Sequence, residues 1–332
     1  MFRKILRGLL ATFVGFLVFL TLAYSTTAIA VAPRLPPTAM TIAACVWVAG
    51  ALGVFVFVRP MRRAALVWAA AFGAFCLWWF TIPAPNDGDW QIDVSRPPHV
   101  DFDGDRVVVH DVRDFDWTTA TEAKPRWEDR TYDLSKLESG WFAVSYWDNN
   151  RAIAHTMLSF GFADGRYLAL SVETRKTTGQ EFSTWRGTFK QYTLFYVLAD
   201  ERDVFRVRTN RREEDMYLYP LTSASKERLR GILTSVLRTA DDLSRNPQWY
   251  MTIAKSCTTG LVPHLQVGAP SPIPCTALLL NGYTDQLAWE RGAIPNDRPY
   301  EEVRAAHRIT DVARALGDDP DFSRKIREKQ SK

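Results

Sequence analysis

Three long apolar runs open the chain, roughly 9–32, 38–58 and 64–82, and none contains a charged side chain. A helix crossing a hydrocarbon core takes about 20 such residues, so each run is long enough to span a bilayer. Pro33, Pro36 and Pro37 mark the first break, Arg59, Pro60, Arg62 and Arg63 the second, and Pro83 and Pro85 the exit. Residues 83–125 are rich in Asp, Pro and Gly around one apolar run at 107–109, and read as a linker with room for a single strand. From 126 the pattern is denser. Segments 141–146, 152–162, 167–172, 189–198 and 204–207 are aromatic and β-branched and read as strands. A helix over 225–245 follows from Leu229, Ile232, Leu233, Val236, Leu237 and Leu243 near helical spacing, with Pro247 beyond its end. Strands followed by helices make an α+β domain over 126–323, and 324–332 is expected to fray as a polar basic tail.

The formal net charge of +4 hides an asymmetry. Residues 1–82 hold seven Lys or Arg and no Asp or Glu, and after them 34 basic side chains meet 37 acidic ones. A nucleic-acid-binding domain is expected to be basic, so nucleic acid is set aside as a partner of this one. Arg3, Lys4 and Arg7 fall on the same side of a three-span arrangement as Arg59, Arg62 and Arg63, whereas the first loop has only Arg34. The positive-inside rule then places the N-terminus in the cytoplasm and the large domain across the inner membrane, in a bacterial periplasm. Trp78 and Trp79 suit an interfacial aromatic belt. The alternative for the first run is a cleaved signal peptide ending in the small residues of 28–32, which leaves the large domain in the same compartment.

The segment 154–173 predicts a hairpin with a defined register. Leu158, Phe160 and Phe162 are apolar at even positions of the first strand, and Leu168, Leu170 and Val172 at even positions of the second. A two-residue Asp164-Gly165 turn would put these sets on opposite faces. A three-residue turn, Ala163-Asp164-Gly165 with Gly165 left-handed, puts them on one face. That register sets His155 directly across from Glu173, with Cβ atoms about 4.5 to 5.5 Å apart, close enough for the carboxylate to orient the imidazole. The bland reading pairs Glu173 with Arg175 and leaves His155 a satisfied polar residue.

A base there needs a nucleophile. Cys45 and Cys76 lie inside apolar runs and read as packing residues, which leaves Cys257 and Cys275. Ser256 is a candidate cap for a helix that begins at Cys257, and a helix N-terminus favours thiolate. Gly260 and Pro263 make that helix short, kinked or absent. The competing reading is a Cys257–Cys275 disulfide across 18 positions. His264 is the second candidate base, and His99, His110 and His307 are expected to be solvated. No spacing resembles a zinc site or a phosphate-binding loop, so no metal and no cofactor is expected.

Tyr132-Asp133-Leu134, Ser145-Tyr146-Trp147, the run 152–160, Glu173-Thr174-Arg175, Asp200-Glu201-Arg202-Asp203, Arg208-Thr209-Asn210, Cys257-Thr258-Thr259 and Asn281-Gly282-Tyr283 together resemble the Lnb-type N-terminal periplasmic domain family. The resemblance covers roughly 127–304. It implies a permuted papain-like (NlpC/P60-type) antiparallel-sheet domain with helices, in which the histidine strand precedes the cysteine helix, behind a three-helix membrane anchor. It also implies kinship with an alternative lipoprotein N-acyltransferase, with Cys257 as nucleophile, His155 as general base and Glu173 as orienting group. Ser256 before the cysteine, where Asn is common, and Pro263 depart from the family pattern. Within these motifs Tyr146, Arg175 and Arg202 are candidates for touching substrate, each with support of the fold as its alternative role.

The expected function is acyl transfer or acyl hydrolysis through a Cys257 thioester, with a membrane phospholipid as donor and a lipoprotein N-terminus or water as acceptor. Two alternatives stand beside it. One is a cell-wall amidase or peptidase on the same fold; the other is an envelope scaffold without catalysis, in which Cys257 is disulfide-bonded.

Overall fold

The computed structural model describes residues 2–33, 36–147, 150–267 and 281–328. The chain divides into two units, Met1–Ala84 with Ser183–Gln191, and Pro85–Phe182 with Tyr192–Lys332.

The first unit is built on helices α1 (Phe2–Ala30), α2 (Pro37–Phe57) and α3 (Met61–Thr81), all three long and apolar enough to cross a membrane. In hydrocarbon a helix satisfies its own backbone, so contacts between helices come from small and polar side chains. Trp47 Nε1 donates to Ser25 Oγ at 2.8 Å and Trp68 Nε1 to Thr21 Oγ1 at 2.9 Å, tying α2 and α3 to α1. Trp79 is 2% exposed and packs inward with Phe75 and Ala28, so of the two tryptophans expected in an aromatic belt only Trp78 faces outward. Cys45 is likewise exposed on α2 rather than packed.

The second unit centres on a mixed sheet. Its strands are β1 (His99–Asp103), β2 (Arg106–Arg113), β5 (Trp127–Asp133), β6 (Leu137–Tyr146), β7 (Ala154–Phe162), β8 (Tyr167–Arg175), β9 (Thr193–Ala199) and β10 (Asp215–Pro220). They run in the order β1-β2-β9-β8-β7-β6-β10, with β5 also beside β2. A short pair, β3 (Asp116–Trp117) and β4 (Ala123–Lys124), stands apart. All pairings are antiparallel except the β2–β9 bridge Arg113↔Ala199, which makes the sheet mixed where an antiparallel one was expected.

Every residue of β7 is buried, because both faces of the sheet are covered. The even face of β7 and β8 packs with Ile232, Leu233, Val236 and Leu237 of α5 (Lys226–Arg245) and with Leu261 of α6 (Cys257–Leu265). Ser225 caps α5 by accepting from Arg228 N, and each buried aliphatic side chain contributes about 1.5–3 kcal/mol. On the odd face, Met157 and Ala169 meet Val204 and Phe205 of α4 (Glu201–Arg206), Ala313 of α9 (Thr310–Leu316), and Phe322 and Ile326 of α10 (Phe322–Glu328). Two further short helices, α7 (Thr284–Glu290) and α8 (Tyr300–Ala306), complete this unit among the described residues.

Several expectations need correction. Residues 83–125 are not a linker, since β1 and β2 lie in the main sheet and Val107, Val109 and Val112 are fully buried. Residues 204–207 are helical, not a strand: Asp200 caps α4 by accepting from Arg202 N, and a π-helical turn, Val207–Arg211, continues it. The strand expected from 189 begins at Thr193, because residues 183–191 belong to the membrane unit. Residues 324–328 of the expected tail are helical, and Arg327 forms a double hydrogen bond to the fully buried Glu201 at 2.5 and 2.8 Å.

Candidate active site

The hairpin has the expected register. Leu158↔Leu170 and Phe160↔Leu168 pair across it, and Gly165 takes φ +81°, the left-handed position that a three-residue turn requires. The β7–β8 ladder stops at Met157↔Ser171, while β7 continues on β6 to Tyr146↔Ala154 and β8 on β9 to Arg175↔Thr193. The two strands therefore part at the end that carries His155 and Glu173.

Helix α6 approaches this fork. Its first residue is Cys257, and Ser256 closes a capping box with Thr259, each side chain bonding the other's backbone N–H. Gly260 lets the helix press onto β8, since a Cβ there would lie 3.0 Å from Val172 Cγ1. Tyr196 Oη donates to Gly260 O at 2.9 Å, and the Thr156 and Thr258 hydroxyls lie 3.3 Å apart across the β7–α6 contact. Pro263 sits inside the helix, which is short but formed. Cys257 is a free thiol and 8% exposed; Cys275, its partner in the disulfide reading, lies outside the described residues.

The His155 imidazole and the Thr156 backbone N–H both act on the sulfur in the direction that favours its thiolate. His155 Nε2 is 2.7 Å from Ser171 Oγ and 3.3 Å from Glu173 Oε1. Ser171 Oγ donates to Glu173 Oε1 at 2.6 Å. A serine has one hydroxyl proton, so with that proton directed at Glu173 the oxygen accepts a hydrogen bond from His155 Nε2. Glu173 also accepts from Arg208 Nη2 at 2.8 Å, so its ion-pair partner is Arg208 and not Arg175.

The electrostatics follow from these contacts. Burial opposes charge on His155, but Glu173 outweighs it and lifts the imidazole to about 9. Burial pushes the Cys257 thiol up, and the bond and charge of His155, with the Thr156 N–H, bring it below its ordinary value. Burial likewise opposes the Glu173 carboxylate, yet His155 and Arg208 hold it well below the usual carboxylate range. These contacts shift both groups toward a thiolate–imidazolium pair, with the sulfur at the positive end of α6.

Residues 123–281 match the family model of the Lnb N-terminal periplasmic domain. The chain carries an Lnb-type periplasmic domain. With its three spanning helices it is a protein of the inner membrane and cell envelope with a periplasmic domain. No curated protein and no solved structure matches it.

The other expected residues of the Lnb-type domain fall outside this cluster. Tyr146 Oη lies 2.9 Å from both Gly282 O and Asp285 Oδ2, its two acceptors. Arg175 donates to Val94 O, Ser95 O and Asn86 and stacks 4.5 Å over Trp90, with burial drawing its pKa down to about 10. Arg202 faces Asp114 and Asp200 and lines a surface cleft with Arg126 and Arg206 that contains none of Cys257, His155 and Glu173. His264 lies on α6 with Nε2 3.0 Å from Tyr196 Oη and Nδ1 2.8 Å from Ser235 Oγ, and burial pulls it down to about 4. His307 is buried against Tyr219, not solvated, while His99 and His110 are partly exposed and paired with Asp241, Asp101 and Asp129. Among the described residues, no group of three or more His, Cys, Asp or Glu is placed to hold a metal.

Three side chains that the Lnb-type domain brings to the cluster were not assigned roles from sequence, and the first is Arg208, the partner of Glu173. Ser171 shares the face and strand of Glu173 two positions away, a signal that alternation offered. Asn281 Nδ2 lies 3.7 Å from the sulfur while its Oδ1 accepts from Ala154 N at 3.0 Å. Gly282 lets this segment dock, since a Cβ there would meet Arg151 O at 2.0 Å.

Proposed function

We propose that the protein is a membrane-anchored cysteine acyltransferase or acyl hydrolase that draws acyl chains from phospholipid. The observation that carries this reading is the free thiol at the first position of a capped helix, lowered in pKa by an imidazole that a carboxylate and a serine orient. The histidine strand precedes the cysteine helix, the order of a permuted papain-like enzyme. The N-terminus is cytoplasmic by the positive-inside rule, so α3 delivers the chain to the periplasmic side.

In the reaction, Cys257 Sγ attacks an ester carbonyl and forms the C–S bond of a tetrahedral intermediate. The Cys257 backbone N–H and Asn281 Nδ2 supply hydrogen bonds to the oxyanion. The C–O bond breaks as His155 gives its Nδ1 proton to the leaving alcohol, and a thioester remains. An amine or water then attacks, losing its proton to His155 Nδ1, and the C–S bond breaks to return the thiolate. A lipoprotein N-terminus as amine gives transfer; water gives hydrolysis.

A lipid substrate is supported by three of the six large apolar side chains that stay exposed among the described residues of the second unit. Ile153, Ile253 and Tyr283 are 47%, 62% and 39% exposed, and each lies within four residues of His155, Cys257 or Asn281. The test is incubation of the full chain with phospholipid labelled in its acyl chains. A label released by hydroxylamine and absent from Cys257→Ser supports the proposal. No label, with cleavage of muropeptides instead, replaces acyl transfer with the cell-wall reading.

A further inference from the structure

Residues 183–191, between β8 and β9, belong to the membrane unit, and their contacts fix their level in it. Gln191 Nε2 donates to Val31 O at 2.6 Å, one residue past α1. Lys190 Nζ donates to Trp79 O in the last turn of α3 and to Ile82 O, just past it, at 3.3 Å. The final carbonyls of a helix have no partner within it and form the negative end of its dipole, so the ammonium satisfies both needs. Phe189 is 2% exposed in a cluster with Ala28, Ala32, Phe75 and Trp79, and its ring lies 5.3 Å from Tyr24. The segment is thus seated level with the ends of two spanning helices, where hydrocarbon gives way to headgroups.

On this seat stands an unburied tryptophan. Trp185 is 65% exposed and meets Phe189 edge-on at 4.9 Å, beside the exposed Arg186. Residues 183–191 hold two cations and no carboxylate. At the same level Trp78 and Phe80 of α3 are 40% and 73% exposed, so the apolar surface continues from the segment onto the outside of the bundle. An indole has an apolar body and one N–H donor, and it is most stable where one end is dry and the other wet.

We propose that residues 183–191 form a membrane-interface anchor, with Trp185 set into the phospholipid leaflet at the C-terminal ends of α1 and α3 and Arg186 among its phosphates. The spans at that level are surrounded by lipid, which makes the leaflet the occupant of the exposed indole face.

The test uses the full chain in nanodiscs of mixed zwitterionic and anionic phospholipid, with or without bromine high on the acyl chains. Subtracting the emission of Trp185→Phe isolates the Trp185 signal. The proposal expects brominated lipid to quench that difference. Its absence overturns the proposal, with quenching by aqueous iodide then placing the indole in water, and quenching by neither placing it under protein. If Trp185→Phe fails to fold, a benzoylphenylalanine at position 185 gives the same reading through its photo-crosslink to labelled lipid or the lack of one.

Discussion

The Ser171 hydroxyl accepts a hydrogen bond from His155 Nε2 at 2.7 Å and donates one to Glu173 Oε1 at 2.6 Å, so serine and carboxylate together hold the imidazole through that nitrogen. A carboxylate alone, at 3.3 Å, would orient the ring less firmly. Ser171→Ala removes a hydrogen bond to a charged group, about 1.5–3 kcal/mol, and leaves the sulfur in place. The acylation rate is expected to fall about ten- to hundredfold, with Cys257 still alkylatable; single-turnover kinetics with labelled phospholipid checks it.

Asn281 tests the other side of the sulfur. Its amide donates to Cys257 Sγ at 3.7 Å and carries no charge, so Asn281→Ala is expected to lower the rate about hundredfold while raising the thiol titration only slightly. A parallel measurement of rate and alkylation against pH separates the two effects, and a rate equal to that of the unaltered protein removes Asn281 from the oxyanion site.

Gly282 permits the close approach that holds Asn281. A methyl group there meets Arg151 O, a backbone atom that cannot swing away, so Gly282→Ala must push the segment off the start of β7. The expected loss is about 1–3 kcal/mol, read as a lower thermal midpoint. An unchanged midpoint would mean that the segment docks elsewhere.

Arg327 is the buried partner of Glu201, which is fully buried and also accepts from Ser159 Oγ. Arg327→Ala leaves a carboxylate without its counter-charge, and a loss of about 3–5 kcal/mol in chemical denaturation is expected. Ending the chain at residue 323 should do the same.

Much of this was legible in the chain. Parity along two strands gave the hairpin register, because a one-residue slip would turn every apolar side chain to the wrong face; the ladder ends at Met157↔Ser171, so His155 and Glu173 meet through their side chains beyond it and not as a strand pair. Long-range contacts were not legible. Arg327 and Glu201 are 126 positions apart, so 324–328 reads as a tail until the fold closes. β1 has one buried residue among five positions, which gave 99–103 no apolar pattern to set it apart from a linker. Residues 204–207 have strand composition, but the Asp200 cap starts a helix before them and their apolar side chains are buried against the sheet. Ser171 and Asn281 escaped notice because serine and asparagine show what they serve only when their partners are beside them.

The central claim is an activated thiol beside His155, and the pH dependence of Cys257 alkylation, followed by mass mapping of its peptide, tests it most directly. Thiolate reacts, and the Cys257 pKa is lowered, so reactivity should fall only as pH drops through a value below the ordinary 9.0. In His155→Gln the largest opposition to burial is lost and the midpoint should move up. Acyl transfer by the unaltered protein should rise through the lowered thiol value and decline as pH passes about 9, where His155 loses the proton it gives to the leaving group. An alkylation midpoint at or above that of an ordinary thiol, unmoved in His155→Gln, would contradict the account.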